Sequence, residues 1–406
     1  MAVGLHGLPD LHSVSGIRLG TTAAGIRKKD RRDLVVIECA SGTQAAIVFT
    51  QNRFCAAPVA VAREHFANFM PRALLINTGF ANAGTGDLGI EDARACCEAL
   101  ASQLGCKAAE ILPFSTGVIG ERLPRERIVA GLPSCLASLN QNGWAEAAHG
   151  IMTTDTLPKG SSRQVKIGSR TVTVTGIAKG AGMIRPDMAT MLAFVATDAA
   201  VAPPALQACV SAAVSQSFNR ITVDGDTSTN DACVLLASGT AGNPVIDQTG
   251  GEAYTVLLGT ITEVFMELAQ AIVRDAEGAT KFITVEVKGG RTESDCLAVA
   301  YTIAHSPLVK TAFFASDPNW GRILAAIGRA PVAQLDVAKV GIYLNELCVV
   351  RHGAADAGYT DAKGLSVMQL PEIRIGVELG AGSASARVWT SDLSHEYVRI
   401  NAEYRS

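Results

Sequence analysis

Charged and aromatic side chains are scarce in this sequence, which argues against both a disordered chain and a nucleic-acid-binding protein. Charged residues make up 18% of the 406 positions and aromatic residues 5%, whereas hydrophobic residues reach 48%, which argues against a disordered chain. The net charge is only -3, the charges are spread along the chain rather than gathered in blocks, and no basic run is interleaved with aromatics. These absences argue against nucleic-acid binding and favour a small-molecule ligand.

Disulfide and metal-binding patterns are also missing. The ten cysteines are scattered over a long chain without any CxxC, and the seven histidines form neither an HxxxH pair nor an HExxH motif. We therefore expect buried, reduced thiols and no zinc site.

Signals for export or membrane insertion are weak. The first 20 residues have neither a basic start nor an apolar core, and Asp10 argues against a transit peptide, so the sequence predicts a cytoplasmic protein. The most apolar stretch, 255–273, contains Glu263 and Glu267, and its large apolar residues recur at helical spacing. This pattern predicts an amphipathic helix rather than a membrane span.

Short β-rich runs alternate with helical patterns, which predicts an α/β protein of layered sheets and helices. The predicted strands are 34–39, 45–50, 58–62, 73–77, 170–178, 191–199, 282–289 and several in a β-rich tail. The predicted helices are 91–104, 204–218, 255–273 and 294–314. Without a repeat or a long linker, we expect two or three compact domains that share an interface, with a boundary near 280–295.

Two loops invite a ligand-binding interpretation. Gly84, Gly86 and Gly89 form a GxGxxG pattern, with Glu110 about 20 residues on, which predicts a nicotinamide-dependent oxidoreductase as an alternative. The pattern begins well after the strand that ends near Asn77, whereas a dinucleotide needs the first glycine in the turn itself, so a flexible surface loop is favoured.

The second loop, 223–231, resembles the opening of a calcium loop because Asp224, Asp226, Ser228 and Asn230 alternate along it. The pattern then fails, because Thr229 replaces the required glycine and Leu235 replaces the bidentate glutamate. Asx and Ser/Thr turns are the favoured interpretation.

Thr190 heads an apolar run in "RPDMATMLAF", residues 185 to 194. A threonine at the start of a strand is ordinarily there because its β-branch suits the pleat. From this stretch alone, Thr190 is structural.

A set of motifs in one order changes that interpretation. The motifs are "STGVIG" (115–120), "MTTDT" (152–156), "KGAGMIRPDMATML" (179–192), "SFNRITVDGDTSTND" (217–231), "DAEGATKF" (275–282), "DPNWGRI" (317–323) and "INAEYRS" (400–406). Together they resemble the ornithine acetyltransferase family, the glutamate N-acetyltransferases of arginine biosynthesis, over nearly the whole chain.

The resemblance implies a precursor that cuts itself between Ala189 and Thr190. It implies an N-terminal chain, 1–189, and a C-terminal chain, 190–406, which stay associated, commonly as a heterotetramer of two such pairs. Thr190 then acts as the nucleophile that carries acetyl from N-acetylornithine to glutamate, with no bound cofactor or metal. Whether acetyl-CoA serves as a second donor is left open.

The resemblance also implies the site residues. Thr116 and Gly117 match the pair that stabilises the oxyanion. The implied substrate-binding residues are Thr153 or Thr154, Lys179, Thr190, Glu277, Asn401 and Ser406. A plainer possibility is that Lys179 and Glu277 only pair with each other across a surface. Phe80 stands where the family pattern has a small polar residue, which puts a binding role for the 77–86 loop in doubt.

Overall fold

The computed structural model describes residues 2–185 and 191–403, which form sixteen strands and eleven α-helices. The strands are β1 (Ile17–Thr22), β2 (Leu34–Cys39), β3 (Gln44–Phe49), β4 (Ala73–Phe80), β5 (Ile111–Val118), β6 (Lys159–Ile167), β7 (Arg170–Lys179), β8 (Leu192–Thr197), β9 (Ile221–Thr222), β10 (Ala232–Ala237), β11 (Phe282–Gly290), β12 (Gly341–Leu344), β13 (Leu347–Arg351), β14 (Ala354–Ala355), β15 (Glu372–Glu378) and β16 (Ala384–Ser391). The helices are α1 (Ala57–Asn68), α2 (Gly86–Leu104), α3 (Arg125–Ala137), α4 (Trp144–Gly150), α5 (Pro203–Gln216), α6 (Gly251–Arg274), α7 (Glu293–Ala304), α8 (Pro307–Phe314), α9 (Trp320–Gly328), α10 (Asp361–Met368) and α11 (His395–Ala402).

The described strands form three sheets. The first has the order β1-β2-β4-β5, the second β3-β10-β8-β7-β6 and the third β14-β13-β12-β15-β11-β16-β9. In the second sheet, Leu192 on β8 lies opposite both Ala232 on β10 and Lys179 on β7. This register brings the starts of β8 and β10 beside the end of β7.

The first and second sheets pack face to face, with helices on their outer faces. Ile37, Leu74 and Phe114 of the first sheet share one apolar core with Phe194 and Val234 of the second. The outer face of the first sheet packs on α2 and α3, and that of the second packs on α5 and α6. The result is four layers, helix, sheet, sheet, helix, which confirms the predicted α/β class of layered sheets and helices.

The third sheet has a core of its own, built from residues between Ile283 and Val388 with α7 and α9 packed on it. Its edge strand β9 comes from the middle of the chain and pairs with β16 in parallel. This pairing ties the third sheet to the four-layer part.

Several predicted elements are wrong in type or extent. The stretch 58–62, predicted as a strand, lies in α1, because Pro58 occupies the first helical turn and the buried residues Pro58, Val61, Ala62 and His65 recur at helical spacing. The predicted helix 294–314 is two helices, since Ser306 caps a new helix that begins at Pro307. Helix α11 near the C-terminus has no counterpart among the predicted elements.

Helix α6 is the one helix of the described residues that is long and apolar enough to cross a membrane by length and composition. Its apolar face packs on β6, β7 and α5, and residues such as Ile261, Phe265 and Leu268 are fully buried there. The predicted amphipathic helix is therefore a core helix of this fold. All ten cysteines are unpaired, and most are buried, as predicted.

A buried ion network joins the second sheet to the end of α6. The Lys159 Nζ donates hydrogen bonds to Asp155 Oδ1 at 2.6 Å and to Asp275 Oδ2 at 2.7 Å, and all three side chains are almost fully buried. Burial acts to raise the pKa of Asp155, but the charges of Lys159 and Lys179 outweigh it and hold this pKa below its usual value. The network therefore depends on the lysine cation.

We expect Lys159→Ala to lower the free energy of unfolding by about 3 to 5 kcal/mol, because it leaves two buried carboxylates without their cation. The matched control is Lys166→Ala, which removes an exposed lysine from the same strand and should change stability by no more than about 0.5 kcal/mol. Urea unfolding of both variants measures the difference, and equal stability losses would contradict the role given to Lys159.

Candidate active site

A cavity of about 280 Å³ opens where the first and second sheets meet. The residues implied by the family motifs that fall within the described part of the chain all line it: Thr116, Gly117, Thr153, Thr154, Lys179, Glu277 and Asn401. Ala189, Thr190 and Ser406 lie outside the described residues. Met191, which follows Thr190 in the chain, lines the same cavity.

Thr116 and Gly117 lie at the end of β5. The backbone of Gly117 has a φ of 134°, and a Cβ atom there would come within 2.3 Å of the carbonyl carbon of Gly79 on the neighbouring strand. Only glycine fits this position. The close approach of the two strands fixes the wall of the cavity at Thr116.

Thr153 and Thr154 belong to the loop before β6. Thr153 donates its backbone N–H to Asp155 Oδ2 at 2.9 Å, and its carbonyl accepts from Arg31 Nη1 at 2.9 Å. Both threonines line the cavity, so the choice between them stays open. The loop is held on one side by the buried Asp155 and on the other by Arg31.

Lys179 ends β7 and points at Thr116. Its Nζ donates to Thr116 Oγ1 at 3.2 Å. Burial lowers the pKa of Lys179 below its ordinary value, although the nearby carboxylates of Asp155, Asp231 and Glu277 act in the opposite direction. The cavity thus contains a cation that is destabilised by its surroundings and that an anionic ligand would stabilise.

Glu277 and Asn401 face the cavity from the C-terminal half of the chain. Asn401 Nδ2 donates to Glu277 Oε2 at 2.8 Å, and the backbone N–H of Glu277 donates to the carbonyl of Ala181 at 2.9 Å. Glu277 is buried, and it forms no ion pair with Lys179 within the described part of the chain. The plainer expectation, that these two residues only pair across a surface, is therefore wrong.

Asp231 also lines the cavity, and the sequence reasoning missed it. Its Oδ2 atom is buried and has no hydrogen-bond partner among residues 2–185 and 191–403. Burial raises the pKa of its carboxyl group well above the usual value. Its neighbour Asn230 donates from Nδ2 to the carbonyls of Ala81 at 2.6 Å and Ser115 at 2.9 Å, across the two sheets. The available signal was the run of polar residues directly before the apolar strand β10.

The loop 223–231, which resembles the start of a calcium loop in sequence, holds the backbone of residues 183 and 184 beside the cavity. Asp224 accepts the backbone N–H groups of Met183 at 2.6 Å and Ile184 at 2.8 Å, and Asn230 N donates to Ser228 Oγ as in the predicted Ser/Thr turn. Across residues 2–185 and 191–403, no group of three His, Cys, Asp or Glu side chains is arranged to hold a metal ion.

The GxGxxG segment takes no part in this cavity. Strand β4 ends at Phe80, and Gly86 and Gly89 lie inside the first turns of α2 rather than in a flexible loop. Asn82 fixes the segment by donating to the Gly89 carbonyl at 2.9 Å, and Gly89 is buried. The close fit of the segment to its own helix leaves the nicotinamide alternative without support.

A basic segment near the cavity is a second feature that the sequence reasoning missed. Charges were expected to be spread along the chain, but five cations fall between positions 27 and 32: Arg27, Lys28, Lys29, Arg31 and Arg32. The segment connects β1 to β2 and borders the loop of Thr153 through Arg31. Counting charge in short windows would have found it.

Comparison with known proteins identifies the family. A model described as the ArgJ family matches residues 18–406. The chain is 57% identical to the arginine biosynthesis bifunctional protein ArgJ of Pseudomonas fluorescens (strain Pf0-1) over 406 residues, all of both chains. It is 57% identical to the protein of the same name from Methylococcus capsulatus over 97% of this chain and 96% of the relative.

Two solved structures are similar as well. The arginine biosynthesis bifunctional protein ArgJ from Bacillus halodurans is 36% identical, with a TM-score of 0.48, over 50% of this chain and 95% of its own. The ornithine acetyltransferase of Mycobacterium tuberculosis, complexed with ornithine, is 35% identical, with a TM-score of 0.40, over 44% of this chain and 97% of its own. By the family match and by identity over its full length, the chain belongs to the ArgJ family.

Proposed function

We propose that this chain transfers an acetyl group from N-acetylornithine to glutamate through an acetyl ester on Thr190, after cutting itself between Ala189 and Thr190. The chain is an acyltransferase of arginine biosynthesis, like its relatives. The observation that carries the finer proposal is the single cavity that joins Thr116, Gly117, Lys179, Glu277 and Asn401.

The proposed nucleophile directly precedes a residue of the cavity wall in the sequence, since Thr190 comes before Met191 and Met191 lines the cavity. The role of Thr190 itself is proposed from the family motif at 179–192.

Self-cleavage supplies the base that a threonine lacks. The Thr190 hydroxyl attacks the Ala189 carbonyl in an N-to-O acyl shift, and water then hydrolyses the ester to leave Thr190 with a free amine. An α-amine has an ordinary pKa of about 7.7 to 8.0, so it can accept and return a proton near neutral pH. The new amine activates the hydroxyl of its own residue.

Each acetyl transfer passes through an oxyanion. The Thr190 oxygen attacks the acetyl carbon of N-acetylornithine, the carbon–nitrogen bond breaks, and ornithine leaves with the proton that the amine held. Glutamate then attacks the acetyl ester through its own amine and leaves as N-acetylglutamate. Thr116 and Gly117 are suited to stabilise both oxyanions, because the fixed end of β5 needs no rearrangement during the reaction.

The remaining polar groups suit the two amino acids. Lys179 is proposed to meet a carboxylate, and Glu277, held by Asn401, to meet an amine. Thr153 or Thr154 borders the same space. The family motifs add Ser406 to the proposed substrate-binding residues. They also lead us to propose a heterotetramer of two chain pairs that acts in the cytoplasm.

Thr190→Ala should leave one unbroken chain without exchange activity, because both the attacking hydroxyl and the cut are lost. Thr190→Ser is the control, since it keeps a hydroxyl and should still yield fragments 1–189 and 190–406. Denaturing mass spectrometry and an exchange assay test both variants. An active, uncut Thr190→Ala protein would contradict the proposal.

Thr116→Ala should lower kcat by about a hundredfold or more with little change in KM, as expected for the loss of one oxyanion donor worth about 2.7 to 4 kcal/mol. Thr116→Ser keeps the hydroxyl and should retain most of the activity. The assay uses protein whose cleavage has been verified. Loss of substrate binding at unchanged kcat would assign Thr116 to binding instead.

Carboxylate binding should weaken at a lower pH than an ordinary lysine would give. Because the pKa of Lys179 is lowered by burial, its cation is lost as pH rises through that lowered value. Calorimetric binding of glutarate, which has neither amine nor acetyl group, should weaken roughly tenfold or more between neutral and strongly alkaline pH. Lys179→Met should bind weakly at both, and a wild-type affinity without pH dependence would exclude Lys179 as the carboxylate ligand.

A further inference from the structure

The proposed exchange leaves one proton without a carrier in each half of the reaction. An α-amine has an ordinary pKa of about 7.7 to 8.0, so free ornithine and free glutamate carry it largely as an ammonium group at neutral pH. In the exchange, however, ornithine is released as an uncharged amine and glutamate attacks as one. Ornithine must therefore gain a proton, and glutamate must lose one, beyond the proton that the Thr190 amine passes.

Three titratable side chains line the cavity within residues 2–185 and 191–403, and two of them are already hydrogen-bonded there. Lys179 donates to Thr116 Oγ1 at 3.2 Å, and Glu277 Oε2 accepts from Asn401 Nδ2 at 2.8 Å. The third is Asp231, whose Oδ2 atom has no hydrogen-bond partner in the same part of the chain. Asp231 therefore offers a carboxyl oxygen that no described residue uses.

The backbone on either side holds Asp231 at the cavity. Its carbonyl accepts the Thr50 N–H at 2.9 Å, and the N–H of Ala232 donates to the Met191 carbonyl at 2.9 Å. Asp231 is only 4% exposed, and a polar atom without a partner is costly in such a place. A polar group of a ligand in the cavity would remove that cost.

The surroundings of Asp231 suit a group that takes up and returns a proton. Burial raises the pKa of its carboxyl group, although hydrogen bonds from Ser228 and the charge of Lys179 oppose this rise. A carboxyl group with a raised pKa is a better base near neutral pH than an ordinary one, and it can still give the proton back. The charged groups that act on Lys179 are Asp155, Lys159, Asp231 and Glu277.

We propose that Asp231 is a further catalytic residue, which stores a proton between the two halves of the exchange. It gives this proton to the amine of ornithine as ornithine leaves, and it is therefore ionised in the acetyl-enzyme. It then takes a proton from the ammonium group of glutamate and returns to its protonated form. This inference rests on the proposed function and deepens it, because it assigns a carrier to the remaining proton at the same site.

The protons balance over one turnover without a further reactant. Ornithine leaves as an ammonium ion, with one proton from the Thr190 amine and one from Asp231. Glutamate arrives as an ammonium ion and gives one proton to Asp231. When its amine attacks and the ester carbon–oxygen bond breaks, a second proton passes through the Thr190 amine to the Thr190 oxygen. The enzyme then holds the same protons as at the start.

The test compares two variants of the 223–231 loop. Asp231→Asn keeps the size of the side chain but cannot carry the proton, whereas Asp226→Asn neutralises an exposed aspartate that does not line the cavity. Mass spectrometry verifies self-cleavage and then follows acetylation of each processed enzyme. One donor is N-acetylornithine, whose amine needs a proton, and the other is 4-nitrophenyl acetate, whose phenolate leaves as a stable anion.

Asp231→Asn should slow acetylation by N-acetylornithine about a hundredfold, as expected for the loss of a general acid, and should slow acetylation by 4-nitrophenyl acetate far less. Asp226→Asn should change neither rate. A merely structural role of Asp231 would slow both donors alike. Unchanged acetylation by N-acetylornithine, or an equal loss with the two donors, would overturn the proposal.

The wild-type enzyme provides a second measurement, which decides the matter if Asp231→Asn fails to fold or to cut itself. The donor half needs Asp231 protonated, so kcat/KM for N-acetylornithine should fall as pH rises through the raised pKa of Asp231. The acceptor half needs it ionised, so kcat/KM for glutamate should fall as pH falls through that pKa. The same pH dependence for both substrates would contradict the proposal. A wild-type enzyme that forms no acetyl ester would instead refute the proposed function.

Discussion

The buried ion network of Asp155, Lys159 and Asp275 is the constraint on which the cavity depends. Asp155 accepts the Lys159 Nζ and the Gly180 backbone N–H on one oxygen, and the Thr153 N–H on the other. A single carboxylate therefore holds the loop of Thr153, the start of β6 and the end of β7. The network also positions Glu277 in the cavity wall, because Asp275, which caps the C-terminus of α6, lies only two residues before it.

Burying these three charged groups costs free energy of desolvation. The network is therefore better explained by the positions it gives to the cavity residues than by a gain in stability. A well-packed apolar group would often stabilise the fold as well or better. It could not, however, accept three hydrogen bonds from separate segments and surround Lys179 with compensating charge. The charges of Asp155 and Lys159 act in opposite directions on the pKa of Lys179, so the network also influences its protonation.

Local sequence patterns correctly predicted those helices and strands that depend on nearby residues. They failed where contacts with distant residues determine whether a stretch is helix or strand. The strands 34–39 and 73–77 and the helices 91–104 and 204–218 follow from apolar periodicity and from Pro203 and Pro204 near a helix start. The stretch 58–62 alternates like a strand, but its continuation to Asn68 packs on β5 and makes it a helix. Periodicity over five residues cannot separate these cases.

The site illustrates the same limit. Thr116, Lys179 and Glu277 were named only through the family motifs, because nothing in their own neighbourhoods brings positions 116, 179 and 277 together. Asp231 was missed because its distinguishing property is a buried oxygen without a hydrogen-bond partner in the part of the chain that the structure describes, and this is a property of packing. The basic segment was missed because average charge conceals a short cluster.

The position of Gly117 in the cavity wall follows from how the sheets pack. Gly79 and Gly117 allow β4 and β5 to approach closely, and Asn230 ties the carbonyls of Ala81 and Ser115 to the second sheet. The end of β5 is consequently held by both its neighbouring strand and the second sheet, which fixes the backbone of Thr116 and Gly117 in the cavity wall.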